Sequence, residues 1–83
     1  MKYRVQLQTL DMDTKGKEVV VELNDNEQPT PYNIISQRLN NYFIEHKDDL
    51  GFKSNVELAR AVFDATNDTI ERLTYYVVEK VEE

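Results

Sequence analysis

The feature that most constrains the fold is a helical repeat of apolar side chains between residues 31 and 49. Apolar and aromatic residues recur there every three or four positions, which places them along one side of an α-helix. The residues on this stripe are Ile35, Leu39, Tyr42, Phe43 and His46. Because an amphipathic helix gains its stability by burying such a stripe, the rest of the chain must supply a surface that covers it.

The N-terminal part of the chain predicts that surface. Residues 2–10 alternate polar and apolar side chains, with Tyr3, Val5 and Leu7 on one side. Residues 17–23 repeat the alternation with Val19 and Val21, after a polar connection over residues 11–16. Two alternating runs joined by a short polar loop are typical of an antiparallel β-hairpin with one buried face.

Local signals define where two helices begin and end. Thr30 caps the first helix and Pro31 fits its first turn, while Gly51 ends it, so the helix is predicted to run to about Leu50. Ser54 with Glu57 matches a capping box and opens the second helix. Its predicted apolar stripe consists of Leu58, Ala59, Val62, Phe63 and Thr66.

Residues 69–81 fit two interpretations. A helical stripe would be formed by Ile70, Leu73, Val77 and Val81. Residues 73–78, however, are mostly aromatic or β-branched, which strands favour, and a helix would leave Tyr75 and Tyr76 away from its stripe. We therefore predict a strand. The fold expected for residues 1–83 is a single small α+β domain with the order β-β-α-α-β. It has a three-stranded antiparallel sheet and two helices packed on one face; the alternative is a β-hairpin followed by three helices.

Composition excludes several kinds of chemistry. The 83 residues contain no cysteine, so disulfides, a thiol nucleophile and cysteine-based zinc sites are excluded. There is no apolar run of the ~18–20 residues that a membrane span needs. Met1–Arg4 alternates charged and apolar side chains, unlike a signal peptide, so we expect a cytoplasmic location without membrane contact.

One string resembles a calcium-binding loop. Asp11, Asp13, Gly16 and Glu22 follow most of the EF-hand spacing, but Lys15 occupies a ligand position and the flanks are predicted strands rather than helices. We interpret these residues as hairpin residues and expect no bound metal.

Catalytic groups are also lacking. His46 is the only histidine, and it stands beside Asp48 and Asp49 without a cysteine or a serine in a nucleophile context. Adjacent carboxylates such as Asp48 and Asp49 point apart on a helix, so they do not converge on a substrate. We therefore expect neither enzymatic activity nor a cofactor.

An interaction surface is predicted on the outer face of the sheet. If the odd-numbered residues of the last strand face the helices together with those of the hairpin, no element is left to cover the apolar residues on the other side. Those residues are Leu10, Val20, Ile70, Tyr76 and Val78. A cluster of this kind is typical of a protein interface, and a twofold homodimer is the simplest assembly that covers it.

These observations predict a small acidic interaction protein with a net charge of −6. Its expected mode of action is binding to a protein partner, in a specific form as an inhibitor of a basic nucleic-acid-binding protein, of the type found in phages and mobile elements. The alternative is a nucleic-acid-binding protein that uses the basic hairpin residues Lys2, Arg4, Lys15 and Lys17, although the net acidity disfavours phosphate binding.

Overall fold

The computed structural model describes residues 1–12 and 16–81. In these parts of the chain it contains a three-stranded antiparallel sheet with the order β2-β1-β3, together with helices, which confirms the predicted α+β fold. The elements are β1 (Lys2–Thr9), β2 (Val19–Glu22), α1 (Pro31–Glu45), α2 (Lys47–Leu50), α3 (Asn55–Glu71) and β3 (Leu73–Lys80).

The central strand β1 determines which residues form the core. Val5 pairs with Val19 on one side and with Val78 on the other. Residues directly opposite in an antiparallel sheet project from the same face, so these side chains share the face that α1 covers. The buried cluster consists of Tyr3, Val5, Val21, Leu23 and Ile34, with Val19, Tyr76 and Val78 packed against it.

The hairpin places Gly16 in close contact with β1. Its N–H donates to the carbonyl oxygen of Leu7 at 3.0 Å, and a Cβ atom at this position would lie 2.6 Å from the same oxygen. Only glycine fits such an approach, since it has no Cβ. This contact fixes where the polar connection returns to the sheet.

The predicted faces of β3 are wrong. Tyr76 lies opposite Leu7 and packs on the core with Val78, whereas Val77 pairs with Gln6 and projects outward. The register shifts between Gln8 and Thr9, where Gln8 pairs with Tyr75 and Thr9 with Leu73. This bulge leaves one extra residue on β3, which reverses the alternation expected from strict period-two spacing.

The boundary between α3 and β3 also differs from the prediction. Ile70, expected in the last strand, belongs to α3, which continues to Glu71. Hydrogen bonds across the last turn support this extension: Arg72 donates to the Asp68 carboxylate at 2.7 Å, and the Thr69 hydroxyl donates to the Ala65 carbonyl at 2.7 Å.

The first helix begins as predicted but ends earlier. Thr30 accepts a hydrogen bond from the Asn33 N–H at 3.2 Å, and Pro31 occupies the first turn. At His46 the backbone leaves helical geometry, with φ −104° and ψ 21°, and the short α2 follows. The break places Asp48 and Asp49 in the first turn of a new helix, where carboxylates are favoured, instead of at the negative end of a longer one. Gly51, with φ 75°, closes α2.

The second predicted helix corresponds to α3, which packs chiefly against α1. Ser54 accepts from the Glu57 N–H at 3.2 Å, while the Glu57 carboxylate accepts from Lys53 rather than from Ser54 itself. Three residues at four-residue spacing are buried, namely Leu58, Val62 and Thr66. The neighbouring positions Ala59 and Phe63, which were expected inside, are exposed because α1 covers only one side of α3.

Candidate interaction surfaces

The five residues predicted to form an interface do not share a surface. Leu10 and Val20 are exposed, as expected, but Leu10 follows the end of β1 and Val20 lies on the outer face of β2. Ile70 is half-buried within α3. Tyr76 and Val78 pack against the core, so the bulge in β3 removes the surface on which the expected dimer was based.

The outer face of the sheet carries charges of both signs beside the exposed apolar residues Val20 and Val77. Arg4 lies on the central strand between Val20 of β2 and Glu79 of β3. Its Nε atom is 3.9 Å from a carboxylate oxygen of Glu18. Since acidic residues flank this basic side chain, the face is a poor match for a run of phosphates, which was the basis of the nucleic-acid alternative. Lys15, another residue of that alternative, lies outside the described residues.

An exposed apolar surface is found on the helical layer. On α3, Val56 is 78% exposed and Phe63 is 56% exposed, although both are large apolar side chains. Ala59 lies between them, and the spacing of three and four residues places all three along one side of the helix. Phe63, Ala59 and Tyr32 of α1 line a groove of about 390 Å³ between the two helices. We refer to Tyr32, Val56, Ala59 and Phe63 as the helical patch.

Most of the charged side chains of α3 are acidic. Along α3 the charged residues are Glu57, Arg60, Asp64, Asp68 and Glu71. Arg72, just beyond the helix, is engaged by Asp68 and lies 3.7 Å from Asp11. Asp64 is exposed and forms no ion pair within the described part of the chain. The helical patch therefore lies on a helix of net negative charge, with Arg60 three residues from Phe63 and four residues from Val56.

A second cavity lies on the side of α1 that faces the sheet. It has a volume of about 320 Å³ and is lined by Leu7, Ile35, Arg38, Leu39, Tyr42 and Thr69. Most of these side chains are apolar, and Arg38 is the one charged group among them. Partial burial lowers the pKa of the Arg38 guanidinium from its ordinary value, because an apolar environment disfavours the charged form.

The side chain of His46 lies between Tyr42 and Asp49 at the end of α1. Its ring lies 4.4 Å from the ring of Tyr42, and its Nδ1 atom is 4.0 Å from a carboxylate oxygen of Asp49. Its backbone N–H donates to the Tyr42 carbonyl oxygen at the end of α1. Within residues 1–12 and 16–81, no group of three or more histidine or acidic side chains is arranged to hold a metal ion.

The residues that resemble a calcium-binding loop do not come together in the hairpin. Asp11 follows the end of β1, whereas Glu22 pairs with Lys2 at its beginning. At about 3.4 Å per residue, the length of β1 separates these two carboxylates by more than roughly 20 Å, so they do not share an ion. Asp13 lies outside the described residues. The Thr9 hydroxyl donates to Asp11 at 2.7 Å, and this bond is the main reason that the pKa of Asp11 is lowered, with Arg72 contributing.

Three candidate contact residues were not identified from the sequence, namely Val56, Phe63 and Arg38. Val56 was assigned only to the helix start, and Phe63 was placed inside because it follows the stripe of Leu58 and Val62. The available signal was that Val56 and Phe63 form a second apolar line, seven residues apart, beside the buried one. Arg38 carried no such signal, since a single arginine on a helix is ordinary.

No helix in the described ranges is both long enough and apolar enough to cross a membrane. Comparison with known proteins gave no functional information: no family model, curated protein or solved structure matches this chain.

Proposed function

We propose that this chain is a non-enzymatic interaction protein that binds a basic protein partner through the helical patch. The observation that carries the proposal is the exposure of Phe63 and Val56 on one side of α3, a helix with four acidic residues and one basic residue. Aromatic side chains of this kind dominate the energetics of protein interfaces when a partner buries them.

The negative charge of α3 indicates what kind of partner would bind there. The net negative charge of α3 attracts a surface rich in lysine and arginine and accelerates the encounter, and the apolar residues of the helical patch then supply affinity. A second copy of this chain is a poorer occupant, because a twofold contact would bring Asp64 and its acidic neighbours close to their own copies. The partner is therefore a basic protein with an apolar contact site.

Basic surfaces of this type are common on nucleic-acid-binding proteins. By occupying such a surface, the chain would prevent its partner from binding nucleic acid, which is the inhibitory form of the proposal. Its support is the negative charge of α3 together with the net charge of −6.

Affinity capture with matched variants tests the proposed surface. Wild type, Phe63→Ser and Val20→Ser are immobilised, since Val20 is 59% exposed and Phe63 is 56% exposed but Val20 lies on the sheet. We expect wild type and Val20→Ser to retain the same basic protein from source-cell extract, and Phe63→Ser to lose it. Retention of the partner should fall as the salt concentration is raised, since salt screens the charges of α3. If Val20→Ser lost the partner and Phe63→Ser retained it, the contact surface would lie on the sheet and not on the helical patch.

Two further measurements separate the remaining alternatives. Addition of the chain to the captured partner bound to labelled duplex DNA should release the DNA if the chain is an inhibitor. The chain alone should not bind that duplex at low salt. Direct binding that weakens steeply with salt would instead favour the nucleic-acid-binding alternative.

A further inference from the structure

We propose that the cavity between α1, β1 and the C-terminal end of α3 binds a small apolar carboxylate, such as a medium-chain fatty acid, with Arg38 holding the carboxylate. The cavity contains none of the residues of the helical patch, so this site is separate from the proposed partner contact. A negative result for one of the two proposals therefore does not affect the other.

The walls of the cavity suit an apolar chain. Leu7 contributes from β1, and Ile35 and Leu39 contribute from α1. The volume of about 320 Å³ lies at the lower end of the range of roughly 300–1,000 Å³ that is typical of ligand pockets. A short hydrocarbon tail fits such a space better than a bulky cofactor does.

Arg38 has no acidic partner among the residues that the structure describes. It forms no hydrogen bond or ion pair with any residue that the structure describes, and its helical neighbours Ile34, Ile35 and Tyr42 carry no carboxylate. Arg72 and Arg4 each lie within 4 Å of an acidic side chain. Arg60 has no ion pair in the described part of the chain either, but it is exposed, whereas Arg38 is half-buried. A partly buried and unpaired cation is costly, and a ligand anion would remove that cost.

The chemistry of the polar groups selects a carboxylate. A guanidinium presents parallel N–H groups that match the two oxygens of a carboxylate. Tyr42 lies on the same wall, and its hydroxyl has no hydrogen bond to any of the described residues, which leaves it able to donate to the ligand. Apolar walls with one cation and one free hydroxyl favour an amphipathic anion over an inorganic one.

The test is a titration of methyl-labelled protein with three ligands of equal chain length: octanoate, octanol and octylammonium. We expect octanoate to shift the methyl signals of Leu7, Ile35 and Leu39. Because a hydrogen bond to a charged group contributes more than a neutral one, octanol should bind roughly tenfold to a hundredfold more weakly. Octylammonium should not bind, since it places a second cation beside Arg38.

Variants assign the effect to Arg38. Arg38→Met keeps the apolar stem and should reduce octanoate affinity to that of octanol, while raising the melting temperature of the free protein because the unpaired charge is gone. Arg60→Met is the matched control, since Arg60 is exposed on α3 and lies outside the cavity. Its octanoate affinity should equal that of wild type. Arg38→Gln replaces Arg38→Met if the latter does not fold by circular dichroism.

Several results would overturn this assignment. Absence of octanoate binding at millimolar concentration is one, and equal binding of octanoate by wild type and Arg38→Met is another.

An additional titration uses an apolar tripeptide with a free or an amidated C-terminus. Tighter binding of the free peptide than of octanoate would show that the cavity takes a chain terminus instead of a free fatty carboxylate.

Discussion

The two halves of α1 contain similar apolar side chains but bury them very differently. In the first half, Ile34 and Ile35 are almost completely removed from solvent. In the second half, Tyr42 is 52% exposed and Ile44 is 55% exposed. Since Tyr42 lies on the same side of the helix as Ile35, seven residues earlier, the difference between these two comes from what lies opposite each half.

The first half faces the sheet at its best-packed point, where Ile34 joins Tyr3, Val5 and Val21 in the buried cluster. The second half extends beyond that cluster, and the ring contact of Phe43 with Phe52 at 5.6 Å is a local substitute for a covering sheet. We call these regions the closed end and the open end of α1. Stability is therefore expected to be concentrated at the closed end, whereas the open end has exposed apolar surface, and the Arg38 cavity lies between the two.

The largest expected effect on stability comes from shortening Ile34, a buried side chain at the closed end of α1. Ile34→Ala should lower the free energy of unfolding by about 2–5 kcal/mol, because it removes buried methyl groups and leaves a cavity. Ile44→Ala should change it by about 0.5 kcal/mol or less, since surface substitutions lose little packing. Denaturant titration of both variants measures the difference. Ile34→Val, expected to cost about 0.5–1.5 kcal/mol, serves if Ile34→Ala does not fold. Equal losses for Ile34→Ala and Ile44→Ala would contradict the comparison.

A second pair of variants tests the faces of β3 at the closed end. Val78→Ser should destabilise the protein by about 1–3 kcal/mol, because Val78 packs on the core and loses its transfer free energy. Val77→Ser should have a much smaller effect, since Val77 is 45% exposed on the outer face. Thermal unfolding at matched concentration compares the two. The reverse order would restore the faces expected from strict alternation.

Near the open end, local hydrogen bonds should matter more than packing. Ser54→Ala removes the side chain that accepts from the Glu57 N–H, and its expected cost is about 0.5–2 kcal/mol. Ser54→Asp is the matched control, because aspartate also caps helices and should retain most of the stability. Equal melting temperatures for Ser54→Ala and wild type would show that this cap contributes nothing.

The smallest effect is expected from an exposed carboxylate. Asp11 has a lowered pKa in the fold, so its ionised form stabilises the native state at neutral pH. That contribution is present above the unfolded pKa of about 3.9 and is lost as the pH falls through the lower folded value. Asp11→Asn should therefore be slightly less stable than wild type at pH 7, with the difference vanishing in acid. A difference that persists below pH 3, measured by denaturant titration, would assign the effect to something other than charge.

Much of the candidate site depended on information that the sequence does not contain. Leu10 and Val20 were expected to be exposed and are exposed. Phe63 was recognised as apolar but expected inside, because spacing alone does not say which of two adjacent lines on α3 meets α1. The unpaired state of Arg38 is a property of its three-dimensional neighbours, and no pattern in the chain predicts it.

Local sequence signals are enough to predict most of the elements and their order, whereas the break at His46 that separates α2 from α1 was not expected. Thr30, Pro31, Ser54 and Gly51 act on atoms a few residues away, so the starts of α1 and α3 and the end of α2 follow from local chemistry. The alternation within the hairpin likewise defines which side of β1 and β2 is apolar. Only the tertiary structure decided the register shift in β3, which depends on how residues 73–75 pair with a strand more than sixty residues earlier. It also decided which half of α1 is buried, because burial is set by the element opposite a side chain and not by the helix that carries it.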